Sequence, residues 1–282
     1  MSLLIRTLTE RDLSFADAFR AQAGWNQTLE DWRRFIAYEP EGCFLAEWSG
    51  TPAGTATTAC YGTELAWIGM VLVHPDFRRN GIGKALLQHC LDCLDARPMR
   101  CVKLDATPQG QPLYEKLGFH AEWTLARWEA RFANQLEFKA PASIRALKTS
   151  DLTAADALDV PVFGVSRRGM LERLAAQSRG FVSEANGRLN GFGFIRPGAR
   201  ADYLGPVVAT SVEAGCALVR TLLATAQGTV FWDIPDANAP AVQLAKELGF
   251  QQQRTLLRMY RGENRHPGEP ASVFALAAPE IG

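Results

Sequence analysis

The sequence lacks a long hydrophobic run. No stretch of its 282 residues approaches the roughly 18 consecutive apolar residues that a membrane-spanning helix needs. The first residues, MSLLIRTLTERD, also lack the succession of basic, apolar and small residues that marks a signal peptide. We therefore expect no membrane partner and a cytoplasmic location.

An excess of either charge is also missing. The chain holds 30 basic and 30 acidic residues, so its formal net charge at pH 7 is zero. Nucleic-acid partners favour a basic protein, and strongly basic protein substrates favour an acidic one. The charge balance therefore predicts no nucleic-acid partner and argues against a strongly basic protein as substrate.

Patterns typical of metal sites and disulfide frameworks are absent as well. The six cysteines are scattered through apolar segments, as buried thiols of a reduced compartment are. Cys90 and Cys93 form a CxxC inside a helical pattern, without a second CxxC or a histidine pair nearby. We interpret them as packed helix cysteines and predict no metal.

What the sequence does contain is an internal repeat. LIRTLTERDL at 4–13 matches SIRALKTSDL at 143–152, and LYEKLGF at 113–119 matches LAKELGF at 244–250. Matches that recur in the same order indicate two copies of one unit. We predict domains over residues 1–138 and 139–282, each near the usual domain size, with a linker around 134–143.

Each unit shows the element order of an α/β fold. Apolar residues predict a strand at 65–73, and the spacing of Ile82, Leu86 and Cys90 predicts a helix from Gly81 that packs one face on a sheet. The glycine of each LGF sequence is predicted to end its helix in the left-handed conformation. The additional strand ASVFALAAP at 271–279 has no counterpart in the first unit.

The stretch VLVHPDFRRNGIGKALL at 71–87 carries the main chemical signal. A buried strand is followed by a loop with Arg78 and Arg79, and then Gly81 and Gly83 open a helix. Glycines let a ligand approach the backbone closely, and the free amides and positive dipole of a helix start attract a phosphate. This geometry predicts anion binding.

The stretch is neither a dinucleotide fingerprint, because Leu86 stands where a third small residue is required, nor a P-loop, because Ala85 follows the lysine. The pattern Arg78-x-x-Gly81-x-Gly83 after a strand resembles the pyrophosphate loop of the GNAT acyltransferases. The first unit resembles that superfamily along nearly its whole length, and the second resembles the degenerate domain of its tandem members. The resemblance implies two tandem GNAT-type domains, each with a central mixed β-sheet flanked by helices, and acetyl-CoA as co-substrate.

The resemblance also implies a set of cofactor-binding residues. Main-chain amides of the loop would cradle the pyrophosphate, and the backbone of the preceding strand would hold the pantetheine arm. For Arg78, a solvated loop charge is a nearly equal alternative. The predicted set is Val71, Leu72, Val73, Arg78, Arg79, Asn80, Gly81, Ile82, Gly83 and Lys84.

Two catalytic roles follow from the same resemblance. The main chain at Val71 would donate to the thioester carbonyl, which gathers negative charge as an amine attacks it. Tyr114 stands where many family members place the tyrosine that protonates the departing CoA thiolate, and a phenol of pKa about 10 suits that role. The alternative for Tyr114 is a half-buried tyrosine that only packs.

A general base is harder to identify from the sequence. Some family members carry a glutamate at the position that Trp67 occupies here. Glu64, just before the strand, is predicted to act through a water molecule, and the alternative for it is a solvated carboxylate at the strand edge.

The acceptor amine is predicted to bind in the segment AGWNQTLEDW at 23–32, which borders the acceptor pocket in the family. Trp25, Asn26 and Asp31, together with Trp67, form the predicted substrate-binding set. An aromatic wall, an amide and an anion suit an ammonium group.

The same segment is also compatible with a purely structural role. Trp25 and Trp32 would then be core residues. Asn26 or Thr28 would cap the following helix, and Asp31 would favour its first turn.

Only the first unit carries the residues that the chemistry needs. In the second unit ATSVEAGC replaces the loop of glycines and arginines, and Ala245 stands at the tyrosine position. The predicted function is transfer of an acetyl group from acetyl-CoA to a primary amine, in a small molecule or another amino-group acceptor, by direct attack in a ternary complex. The alternative is a non-catalytic acyl-CoA sensor, which needs the loop but no acid. The oligomeric state is not predicted.

Overall fold

The computed structural model describes residues 2–134 and 136–282, and its elements follow the predicted repeat. The first unit contains β1 (Leu3–Thr7), α1 (Leu13–Gln22), α2 (Leu29–Tyr38), β2 (Cys43–Trp48), β3 (Thr51–Tyr61), β4 (Leu65–Val73), α3 (Ile82–Asp95), β5 (Cys101–Ala106), α4 (Gln111–Lys116) and β6 (His120–Phe132). The second contains β7 (Ile144–Ala146), α5 (Leu152–Phe163), α6 (Arg168–Ala175), β8 (Arg179–Ala185), β9 (Arg188–Arg196), β10 (Asp202–Ala209), α7 (Val212–Leu223), β11 (Gly228–Pro235), α8 (Ala239–Glu247), β12 (Gln251–Gly262) and β13 (Val273–Ala275). The mixed α/β fold is confirmed. Within these ranges no helix combines the length and the apolar character needed to cross a membrane.

The strands form one continuous sheet rather than two separate ones. Their order is β1-β2-β3-β4-β5-β12-β6-β11-β10-β9-β8-β7, with β13 paired to β10. The two closing strands are therefore exchanged: β12 of the second unit pairs with β5, and β6 of the first unit pairs with β11. The division at residue 138 describes the order of elements along the chain, but each half supplies the closing strand of the other half's sheet. The linker between β6 and β7 includes Gln135, which lies outside the described residues.

Side-chain burial explains why the exchange is stable. On β6, Ala126, Trp128 and Ala130 face the core of the second unit, with the spacing of two that places side chains on one face of a strand. On β12, Met259 is fully buried in the core of the first unit. Each closing strand thus buries its apolar face in the half of the chain that did not supply it.

The local sequence signals behave as predicted. On α3, Ile82, Leu86 and Cys90 are buried against the sheet. Gly118 and Gly249, the glycines of the two LGF sequences, have φ angles of 84° and 79°, the left-handed conformation that glycine adopts at little cost.

In each unit two parallel strands pair at one end and then diverge. β4 pairs with β5 only over Leu65–Trp67, and β10 pairs with β11 only over Asp202–Leu204. In the second unit β13 fills this gap, pairing with β10 at Val207 and Val208, and the amide of Leu276 donates to Asp233 O at 2.9 Å. The additional strand predicted at 271–279 therefore completes the second unit.

Candidate active site

The loop before α3 has the geometry of an anion nest. Arg79 and Gly81 have positive φ angles of 65° and 77°. Asn80 Nδ2 donates to Phe77 O at 3.1 Å, which holds the loop closed. Among the described residues no side chain caps the helix at Gly81, so the first amides of α3 are available to an anion.

The matching helix of the second unit begins differently. Ser211 caps α7 by accepting a hydrogen bond from the amide of Ala214 at 3.2 Å, and Glu213 adds a negative charge to the first turn. On the same helix Gly215 packs against Phe274, so closely that a Cβ there would lie 2.3 Å from the ring. The second unit thus uses its helix start and its strand gap for protein contacts.

Arg78, one of the predicted cofactor-binding residues, folds back on the strand that precedes it. Its Nε donates to Val73 O at 3.3 Å, and its side chain is exposed. Arg79 and Lys84 are exposed at the loop and at the first turn of α3. The main chain of the loop, rather than the Arg78 guanidinium, therefore forms the concave side of the nest.

A β-bulge interrupts β4 where it leaves β5. Thr57 pairs with Gly69 and Thr55 pairs with Leu72, so two residues, Met70 and Val71, oppose one on β3. Met70 has a φ angle of 52°, and its carbonyl accepts a hydrogen bond from Thr55 Oγ1 at 3.0 Å. A bulge releases main-chain groups from the ladder, and Val71 lines the cavity that opens beside it.

That cavity has a volume of about 420 Å³ and lies where the gap between β4 and β5 meets the second unit. Its walls come from both halves of the chain. From the first it is lined by residues that include Trp25, Asn26, Gly69, Met70, Val71, Tyr114 and Glu129, and from the second by Arg200, Phe231, Gln253, Arg254 and Glu280.

Tyr114, on α4, is half-buried beside this cavity. Its ring packs next to Gly110, where a Cβ would come within 2.8 Å of the ring, and edge-on to Phe119 at 6.1 Å between ring centroids. Burial raises the pKa of Tyr114 to about 12. The phenol therefore stays protonated over the whole neutral range and can donate a hydrogen bond or a proton.

Trp25 and Asn26 lie on the cavity, but the polar atoms of Asn26 are already used. Its Oδ1 accepts from the amides of Arg200 and Ala201, both at 2.9 Å, and its Nδ2 donates to Ala201 O at 3.0 Å. Asn26 therefore fixes a loop of the second unit against the first. The half-buried Trp25 is left as an aromatic wall.

The structure gives Asp31 a role in the fold and does not place it on this cavity. Asp31 is 4% exposed, and its carboxylate accepts from the amide of Thr28 at 2.6 Å and from Arg34 at 2.6 Å. Although burial alone would raise the pKa of Asp31, Arg34 and Arg196 hold it below its usual value. The structural alternative applies here, because Thr28 and Asp31 form the capping box of α2.

Trp67 is not placed on the cavity either, and only 1% of this residue is exposed. Its indole Nε1 donates to Pro279 O at 2.9 Å, and the guanidinium of Arg258 lies 4.4 Å from the ring centroid. Trp67 therefore supports the floor under the cavity and does not line it.

Glu64 lies at the wrong end of β4 to act as a base. It contacts Arg100 at 3.0 Å and His266 at 3.6 Å. Val71 is seven positions further along the chain, about 23 Å at 3.3 Å per residue. This separation favours the alternative, in which Glu64 is a surface carboxylate.

The segment 276–282 follows β13 and lies buried between the units, and its place at the cavity was not predicted from the sequence. Main-chain carbonyls of this segment accept hydrogen bonds from side chains of both units. Arg196 donates to Ala277 O at 2.9 Å, and Tyr61 donates to Ile281 O at 2.8 Å. This path brings Glu280 to the cavity. The available signal was the apolar run at 271–279 without a counterpart, ending next to a single acidic residue.

Comparison with known proteins gives consistent matches over both halves. The profile of the Acetyltransferase (GNAT) family matches residues 11–119, and that of an Acetyltransferase (GNAT) domain matches residues 156–275. The chain is 25% identical over 264 residues to YitH of Bacillus subtilis, described as an uncharacterized N-acetyltransferase, covering 93% of this chain and 92% of that protein.

Solved structures share the fold. A protein from Pyrococcus horikoshii superposes with a TM-score of 0.86 at 23% identity, covering 99% of this chain and 96% of that one. A tandem GNAT protein from the clavulanic acid biosynthesis pathway superposes with a TM-score of 0.69 at 16% identity, covering 95% and 99%.

Proposed function

Because this chain belongs to the GNAT acetyltransferase family and carries two of its domains in tandem, we propose that its first unit transfers the acetyl group of acetyl-CoA to a primary amine. One arrangement carries the proposal. The uncapped nest at Gly81 follows the end of β4, and the bulge of β4 at Met70 and Val71 lines the same cavity as Tyr114. The second unit offers no such path, because α7 is capped and β13 fills its gap.

In this proposal each part of acetyl-CoA meets a group suited to it. The free amides at the start of α3 fit the pyrophosphate, and the unpaired edge of β4 fits the amide-containing pantetheine arm. Bound there, the thioester supplies the activated acetyl group. The main chain at Val71 would stabilise the charge that develops on the carbonyl oxygen.

The chemical step forms one bond and breaks another. As the acceptor nitrogen bonds to the acetyl carbon, the carbon–sulfur bond breaks and the departing sulfur takes up a proton from Tyr114. The acceptor must lose a proton to a base at the other side of the cavity. Because the cavity has walls from both units and measures about 420 Å³, we propose a small-molecule amine as acceptor.

The direct test is a pair of measurements on the unaltered protein. We expect calorimetry to detect CoA binding, and we expect at least one member of a panel of small amines to accelerate release of free thiol from acetyl-CoA. Binding without release for any amine would favour the non-catalytic sensor. Absence of CoA binding would overturn both functions.

A glycine substitution tests the nest itself. Gly81→Val forces a β-branched residue into a φ of 77°, a strain of about 1–3 kcal/mol that the loop relieves by moving its amides. We expect the Kd for CoA to rise by about 10-fold or more. The measurement is calorimetric titration of the folded variant.

Gly187→Val is the matched control for that substitution. Gly187 lies in the β8–β9 turn of the second unit at a φ of 72°, and neither glycine has an atom within 4 Å of an added Cβ. Both variants therefore carry similar backbone strain, and only Gly81→Val should weaken CoA binding. Equal affinities for the two variants would show that the nest does not hold the phosphates.

A further inference from the structure

Glu280 lies directly over the bulge of β4. Gly69 makes room for it: a Cβ on Gly69 would come within 2.6 Å of the Glu280 carbonyl oxygen and within 2.8 Å of its Cα and Cβ. Residues 67 and 69 face the same side of the strand, so Glu280 stands on the face from which Trp67 projects. Glu280 is one of the residues that line the cavity beside Val71 and Tyr114.

The position of Glu280 is fixed by contacts on both sides of it. Pro279 O accepts from the indole of Trp67 at 2.9 Å, and Ile281 O accepts from the hydroxyl of Tyr61 at 2.8 Å. Gln27 Nε2 donates to the carboxylate at 2.9 Å. The main chain is thus fixed on both sides of Glu280, and the carboxylate itself accepts one hydrogen bond from an amide. This arrangement preorganises the carboxylate for contact with a ligand in the cavity.

In the described part of the chain, two of the arginines around Glu280, Arg127 and Arg196, are hydrogen-bonded to other groups. Arg127 is engaged by Asp233 through two hydrogen bonds of 2.7 and 2.6 Å. Arg196 donates to Gly205 O and Ala277 O, at 3.0 and 2.9 Å. The titratable and charged groups that face Glu280 from the surrounding elements are Asp31 of α2, Arg127 of β6, Arg196 of β9, Tyr203 of β10 and Arg254 of β12.

This environment raises the pKa of Glu280 above the usual value of a glutamic acid. Burial is the main cause that raises its pKa, and the nearby Asp31 raises it further, while Arg196 lowers it. A carboxylate whose pKa is raised is a stronger proton acceptor near neutral pH than an exposed one.

Resting on the function proposed above, we infer that Glu280 is the general base that takes the proton from the acceptor amine. The nitrogen loses a proton to the Glu280 carboxylate as it bonds to the acetyl carbon, and the leaving sulfur receives the proton of Tyr114. The glutamic acid then releases its proton to solvent, and Tyr114 takes one up, so the two residues return to their starting states. The base thus comes from the unit that lacks the phosphate loop.

Of the two other carboxylates on the cavity, Asp105 fits the role less well. The Asp105 side chain is fully buried, and its carboxylate accepts two hydrogen bonds of 2.9 Å from Arg258 in a fixed ion pair. Glu129 is half-buried on β6 and borders the same cavity. It therefore serves as a matched control of the same charge and size.

The test is the pH dependence of turnover in Glu280→Gln. In the unaltered protein kcat should fall as the pH is lowered through the raised pKa of Glu280, because protonation removes the base. We call this fall in kcat at low pH the acid limb of the profile. The acid limb should stay at the same pH when the acceptor is exchanged for an amine of different pKa. In Glu280→Gln we expect kcat to fall by about 100-fold or more and the limb to disappear, while the Kd for CoA is retained. In Glu280→Asp, which keeps a shorter carboxylate, we expect the limb to return with part of the rate.

Glu129→Gln should alter KM for the acceptor and keep the acid limb. The inference is overturned if Glu280→Gln binds CoA normally and retains both the limb and a kcat within threefold of Glu129→Gln. It is also overturned if the limb moves with the pKa of the acceptor. Failure of the proposed function is a different result, because the unaltered protein would then turn over no amine at all.

Discussion

Replacing Tyr114 by Phe is expected to lower kcat by about 100-fold and to leave the Kd for acetyl-CoA unchanged. The substitution removes only the hydroxyl. The ring can keep its packing beside Gly110 and Phe119, so neither α4 nor the nest at Gly81 should move. The measurements are steady-state kinetics with the best amine of the panel and calorimetric titration with acetyl-CoA.

The pH profile gives this prediction a second readout. Because the pKa of Tyr114 is raised to about 12, ionisation of the phenol should produce no loss of activity between pH 7 and about pH 10. A loss of activity that begins near pH 8 in the unaltered protein and is absent from Tyr114→Phe would contradict this. It would show that Tyr114 ionises at a much lower pH than its burial implies.

Tyr38→Phe is the control for Tyr114→Phe. Tyr38 is also half-buried, burial raises its pKa to about 12, and its hydroxyl donates to Cys60 O at 3.0 Å away from the cavity. Its loss should cost about 1 kcal/mol of stability and little activity. An unchanged kcat in Tyr114→Phe, or equal losses in both variants, would remove the proton-donor role of Tyr114.

The second large effect concerns the exchanged strands. Residues 1–138 and 139–282, produced separately, are each expected to fail to fold as monomers, whereas their co-production should restore a folded complex. Alone, the first half would leave β5 without β12 and expose Trp128, which packs in the core of the second half. The second half would lose β6, and with it the partner of the buried Asp233.

The ion pair between Arg127 and Asp233 makes this separation costly. Leaving one partner of a buried pair uncompensated costs about 3–5 kcal/mol. The measurement is circular dichroism and size-exclusion chromatography of each half, of the mixture, and of the full chain cut at an engineered protease site within residues 136–141. The cut chain should elute as one species with its helix content intact. Two independently melting monomeric halves would contradict the exchange.

Much of the fold could be predicted from the sequence because its signals are local. The helix at Gly81 and the strand at 65–73 follow from apolar spacing, and the glycines of the two LGF sequences mark helix ends by their conformational freedom. The two-unit order followed from matching segments in register.

The exchange of β6 and β12 could not be predicted in the same way. Both strands have the same pattern and close the same kind of unit, so either could pair with β5 or with β11. What decides between them is the packing of Trp128 and Met259 in the opposite core, which involves contacts far apart in the chain.

The parts of the candidate site that are defined by local main-chain geometry could be predicted from the sequence. The parts that are defined by contacts between distant side chains could not. The segment around Asp31 carries equally good signals for a helix cap and for an ammonium site, and only the positions of Arg34 and Arg196 separate the two. Glu280 has no local signal, because its partner Gln27 is 253 residues away.

The pairing of β13 with β10 limits how many CoA molecules one chain can bind. A pantetheine arm and β13 would compete for the same main-chain edge of β10, where Val207 and Val208 are already hydrogen-bonded. The second unit can therefore bind a thioester only if β13 leaves β10. Loss of β13 would also release the segment that holds Glu280 in place. A titration of the intact chain should saturate at one equivalent of CoA, and every molecule should work as a single turnover centre despite its two homologous halves.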